Sequence, residues 1–142
     1  MKKNTNKGFS LIELIIVIAI MAVLVAIVTP NLTKYLAKSK YNTDLHNADE
    51  LADMIQTCIA DYEVNNGQFI SSGVNSITLS WTGRKVSGGP AVFNTLLDGM
   101  IARDPISEET GTVARAIVSF KGAKPEMGYT VTVTIGNASA VK

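Results

Sequence analysis

Residues 7–30 read KGFSLIELIIVIAIMAVLVAIVTP, and the eighteen residues from Leu11 to Val28 are apolar apart from one carboxylate, Glu13. That length sits at the lower limit for a helix crossing a bilayer, which takes about 20 residues. An ordinary secretory signal has a shorter apolar region and a small-x-small cleavage site. Here the run passes into Thr29-Pro30 and then a polar helical pattern, which argues for an anchor that is kept. Lys2, Lys3 and Lys7 precede the run, but Lys34, Lys38 and Lys40 follow it, so lysine counting gives little orientation.

Glu13 is the residue to explain. A carboxylate deep in a bilayer costs about 2.5 to 3.5 kcal/mol on insertion scales, although one near the end of the run can reach the headgroups. A positive charge about 4 Å away returns roughly 4 kcal/mol at an effective dielectric of 20. The magnitudes are comparable, so a cationic partner could offset the cost. Glu13 is also suited to its own helix N-terminus.

Pro30 has no amide hydrogen for the carbonyl of Ala26, so a helix passing through it should bend or loosen there. The helical pattern then resumes. Leu45, Ala48, Leu51, Ala52, Ile55, Cys58, Ile59 and Tyr62 form one apolar stripe among Asp44, Asp49, Asp53, Asp61 and Glu63. Asn65-Asn66-Gly67 supplies residues that stop helices. A single helix over 9–65 would be about 85 Å long, a rod carrying a small head.

Beyond Gly67 the period changes from helix to strand. Ile77, Leu79 and Trp81 alternate with polar residues, as do Ala116, Val118 and Phe120, and then Tyr129, Val131, Val133 and Ile135. Ser87-Gly88-Gly89-Pro90 reads as a loop, Ala91 to Asp98 as a short helix ended by Gly99, and Gly122 to Gly128 as a hairpin connection. About three antiparallel strands should lay their apolar face on Leu51, Ile55, Ile59 and Tyr62. The expected class is therefore α+β: a long N-terminal helix, half membrane-spanning and half amphipathic, packed on a small antiparallel sheet.

Composition narrows the function. The chain has 142 residues, room for one domain plus an anchor, and 13 basic against 12 acidic residues give no charge excess to suggest nucleic acid. Cys58 has no partner for an intramolecular disulfide and reads as a small core residue; with the single His46, a polar helix-face residue, it offers no zinc spacing. Asp98, Asp104, Glu108 and Glu109 read as solvated loop acids without calcium-loop spacing. No nucleophile elbow or triad is present, so neither metal, cofactor nor catalytic site is expected. Tyr35, Tyr41 and Tyr62 read as helix packing residues. Lys34, Lys38 and Lys40 could meet the acidic stretch Asp44 to Glu63 of a staggered neighbour, or form a solvated face with Lys40 paired to Asp44.

Lys7-Gly8-Phe9-Ser10-Leu11-Ile12-Glu13, followed by the apolar run and Pro30, resembles the class III signal of type IV prepilins and the related pseudopilins. The resemblance covers roughly residues 1 to 35. It implies that a prepilin peptidase removes a leader, 1–8, between Gly8 and Phe9. It also implies that the new Phe9 amine is N-methylated from S-adenosylmethionine, and that Glu13 docks a new subunit by pairing with the Phe9 amine of a neighbour. Together with the helical and strand patterns above, it divides the mature chain into a membrane and filament-core helix, 9–30, an amphipathic helix, 31–66, and a sheet domain, 67–142. The implied partners are copies of the chain in a filament, the peptidase and methyltransferase, an assembly ATPase with its membrane platform, and minor pilins. The implied location is the membrane before assembly and the cell surface after it. One departure is that Ala22 stands where the family commonly has a helix-loosening glycine. Any melting then depends more on Thr29 and Pro30. The expected function is a type IV pilus subunit used in adhesion, motility or DNA uptake. The alternatives are a pseudopilin of a type II secretion or competence system, or a signal-anchored binding domain or enzyme.

Overall fold

The apolar run and the amphipathic stripe belong to one helix, α1 (Leu11–Asn66), which passes through Pro30. The structure, a computed structural model, describes residues 9–71, 73–121 and 128–142; the leader and nearly all of the expected 122–128 connection lie outside the described residues. α1 stops where Asn65-Asn66-Gly67 says it should. Gly67 adopts φ 84° and its amide donates to the Glu63 carbonyl at 3.1 Å, a turn that only glycine makes without strain.

The chain divides into two units, Met1–Ala37 and Lys38–Lys142. In the first, every described residue is exposed. In the second, the line Asp44, Ala48, Leu51, Ala52, Ile55, Cys58 and Ile59 of α1 is buried against a sheet. The inward line therefore begins at Asp44; Leu45, expected in the stripe, is exposed.

Five antiparallel strands, two more than the alternation predicts, make the sheet: β1 (Ser76–Thr82), β2 (Lys85–Ser87), β3 (Arg115–Phe120), β4 (Tyr129–Ile135) and β5 (Ala138–Val141), in the order β2-β1-β3-β4-β5. β2 is too short to show a period, and β5 turns only Ala138 and Ala140 inward, so neither carries a strong apolar signal. The three expected strands have the expected phase. Leu79 pairs with Ala116, Ala116 with Val133 and Val133 with Ala140, all on the inner face. Phe69, Phe93 and Leu97 complete the core, each such side chain stabilising by about 1.5 to 3 kcal/mol on burial.

The second helix, α2 (Ala91–Met100), starts after Pro90 as expected but runs through Gly99. Buried Ile101 anchors its end and donates its amide to the Leu97 carbonyl at 3.2 Å. That packing outweighs the roughly 1 kcal/mol by which glycine disfavours helix. The outer face of the sheet is mostly polar: Ser76, Thr78, Ser80 and Thr82 of β1 and Thr134 of β4 point away from the core, with Ile117 and Val141 its exposed apolar residues.

Candidate assembly site at the helix N-terminus

Glu13 lies in the first turn of α1, where the amide groups of a helix are unpaired and the helix dipole favours negative charge. Its Oε2 accepts the backbone amide of Ser10 at 2.9 Å. Ser10-Leu11-Ile12-Glu13 thus forms the return half of a capping box, so within one chain the carboxylate complements its own helix. Phe9, just outside the helix, is 83% exposed. Gly8 lies outside the described residues.

From Leu11 to Val28 the side chains are exposed, and this helix is long and apolar enough to cross a membrane, with a mean hydropathy of 3.3 in its best window. The segment thus combines an unsatisfied apolar surface with a single carboxylate at one end. Ala22 lies within uninterrupted helix. Around Pro30, the Thr29 hydroxyl donates to the Val25 carbonyl at 2.7 Å and the Thr33 hydroxyl to the Pro30 carbonyl at 3.1 Å. The Thr29 hydroxyl therefore bonds the carbonyl next to that of Ala26, which proline leaves without a donor, and the Thr33 hydroxyl bonds one a turn further on.

Lys34, Lys38 and Lys40 are exposed, and among the described residues none has a carboxylate within 4.0 Å. The expected pair of Lys40 with Asp44 is corrected: Asp44 is fully buried and binds the 107–110 turn instead. It accepts from the Ser107 hydroxyl at 2.6 Å, the Glu108 amide at 2.7 Å and the Glu109 amide at 3.3 Å. Burial pushes its carboxyl up, but these hydrogen bonds and the charge of Lys40 outweigh that and hold it below the ordinary value.

The rest of the expected acidic face is also largely engaged. Lys142 Nζ reaches Asp49 at 2.8 Å and Asp53 at 3.3 Å, His46 meets Glu50 at 3.2 Å, and the Tyr129 hydroxyl donates to Glu63. Asp98 is not a solvated loop acid: it sits on α2 and accepts the Val86 amide at 2.7 Å, fastening β2. Tyr62 packs edge-on against Phe69 with ring centres 5.8 Å apart, whereas Tyr35 and Tyr41 are exposed rather than packed. Cys58 is a buried core residue whose thiol burial pushes up, away from reactivity.

An apolar helix with a capped carboxylate at its start, continuing into a helix that packs on a small antiparallel sheet, is the class of protein this architecture defines. Residues 3–29 match the family described as the prokaryotic N-terminal methylation motif. The chain is 33% identical over 93 residues to a type IV major fimbrial protein, FimA, of Dichelobacter nodosus, covering 66% of this chain and 54% of that one. It is 26% identical to the prepilin peptidase-dependent protein A of Clostridium perfringens over 99% of this chain and 85% of that one. Against the type IV wide pilus major component PilA4 of Thermus thermophilus it is 42% identical over 49% of this chain and 56% of that one. The chain spans about half the length of the FimA and PilA4 relatives. No solved structure matches it at the same significance. Its N-terminus thus matches a prepilin-type methylation motif, and the chain is similar to type IV pilins and prepilin peptidase-dependent proteins.

Proposed function

We propose that this chain is a structural subunit, not an enzyme, of a type IV pilus. A membrane-bound peptidase would remove residues 1–8 between Gly8 and Phe9, and Phe9 would be N-methylated. The helix over 9–30 would hold the subunit in the membrane until it enters a filament, with 31–66 and 67–142 outside the bilayer. One observation carries the reading: a fully exposed apolar helix whose single carboxylate, Glu13, stands at the end nearest the cleavage point. In a filament that surface would pack on its copies. Glu13 would exchange the Ser10 amide, or share it, for the charged Phe9 amine of a neighbour, a contact worth more than a neutral hydrogen bond in an apolar core.

The membrane platform, its ATPase and minor pilins are the partners this reading entails, and the cell surface is where the filament would be displayed. Lys34, Lys38 and Lys40 remain available for contacts between subunits, with Asp61 an exposed acid of α1 whose carboxylate has no partner among the described residues. Adhesion, motility and DNA uptake are the uses open to such a filament. Relatives named as major fimbrial proteins favour the pilus over the secretion pseudopilin.

Two measurements test this. The intact mass of sheared surface material should show loss of residues 1–8 and gain of one methyl group; an uncut chain recovered only from membranes overturns the proposal. Glu13→Ala should still lose its leader yet lower filament yield about tenfold or more, equivalent to about 1.4 kcal/mol per docking step. Normal filaments from that variant would remove the docking role.

A further inference from the structure

We propose that the outer face of the sheet binds an anionic polysaccharide. This does not depend on filament assembly, because the face belongs wholly to the second unit. Cross-strand register sets its chemistry. Ser80 pairs with Arg115, Arg115 with Thr134 and Thr134 with Ser139, giving a row of hydroxyls interrupted by one guanidinium. In the next row Ile117 lies between Thr78 and Thr132, with its side chain 43% exposed. Hydroxyls fill most of the remaining outward positions, and Lys85 adds a second cation at the β2 edge.

None of the outward strand positions is Asp or Glu. A solvent-facing surface ordinarily carries about 25–35% charged residues of both signs interspersed. Here the charge is of one sign and sparse, among groups that both donate and accept hydrogen bonds. With strands about 4.8 Å apart and alternate residues about 6.8 Å apart, the hydroxyls form a shallow lattice. A polyol chain can bond to such a lattice at many points. Its ring C–H faces suit Ile117, and its carboxylates or sulfates suit the planar fork of Arg115 and the ammonium of Lys85.

A second copy of the chain fits the face less well. Most of the acids that α1 could offer are engaged: Asp44 is buried, Asp49 and Asp53 are held by Lys142, and Glu63 by Tyr129. A duplex nucleic acid would need a denser set of cations than two.

The test uses the full chain in non-ionic detergent micelles, with alginate as the anionic probe and dextran of equal length as the neutral one. Alginate should bind and dextran should bind more weakly. Lys85→Gln with Arg115→Gln should weaken alginate binding roughly fivefold or more, the scale of one to two exposed ion pairs. Thr78→Val with Thr132→Val, which keeps charge and strand propensity, should weaken it by a similar factor. Unchanged melting temperatures would show that both variants fold, and Ser80→Ala with Thr134→Ala replaces the valine pair if it does not. No alginate binding overturns the proposal, as does binding that neither pair of substitutions alters. Duplex DNA bound as tightly as alginate, with no effect of the hydroxyl substitutions, also overturns it by reducing the face to bare charge.

Discussion

Asp44 carries a charge with no exposure to water, and its three hydrogen bonds to the 107–110 turn are what make that tolerable. The sign of its pH effect follows from the direction of its shift. The folded carboxyl lies below its unfolded value near 4, so its contribution is present above about pH 4 and is lost as pH falls through the folded pKa. Asp44→Asn should cost about 2 to 4 kcal/mol at neutral pH, because its amide donor then faces either the Glu108 amide or the Ser107 hydroxyl and Glu109 amide, depending on which oxygen it replaces. The gap in melting temperature between the native chain and the variant should narrow as pH falls through the folded pKa of Asp44; a gap constant with pH would refute the linkage. In the sequence Asp44 is one acid in a row of acids. Its partner Ser107 is 63 residues away, and no local pattern announces a contact at that range.

At the level of elements, the break in hydrogen bonding at Pro30 is fixed by covalent chemistry, while the helix nonetheless continues. Packing on the sheet supports only the later part of α1, so the apolar part depends on propensity and on its surroundings. Pro30→Ala would restore a donor to the Ala26 carbonyl and remove a penalty of up to about 3 kcal/mol. Amide exchange at residues 26–34 in micelles should slow by tenfold or more, while exchange around Ala22 stays the same; equal rates at both places would show that Pro30 is not the weak point. The same physics explains what the sequence revealed of the fold. α1, β1, β3 and β4 have enough residues to express a period, and Pro90 announces α2. β2 and β5 exist because a neighbour offers an unpaired edge, Trp81 pairing with Val86 and Val133 with Ala140. The end of α2 beyond Gly99 is likewise set by the burial of Ile101, a tertiary fact. At the start of α1, Glu13 is conspicuous as one charge in an apolar run, whereas its capping bond is a common local motif that the sequence does not single out.

For the whole chain, the core residues all lie at or after Ala48, and no described residue before Asp44 is buried. The second unit therefore holds everything its own folding requires. A fragment of Lys38–Lys142 should be soluble without detergent and unfold in one cooperative transition by circular dichroism, at a melting temperature within a few degrees of the full chain in micelles. Loss of cooperativity in the fragment would mean that the apolar segment contributes to the fold. Cys58, the one cysteine of the chain, is 2% exposed and lies 3.1 Å from the sulfur of Met100. Small domains often add disulfides where a modest core leaves them marginal. With a single thiol this chain forms no disulfide within itself, so its fold rests on packing and hydrogen bonds, and reductants have no internal cross-link to break.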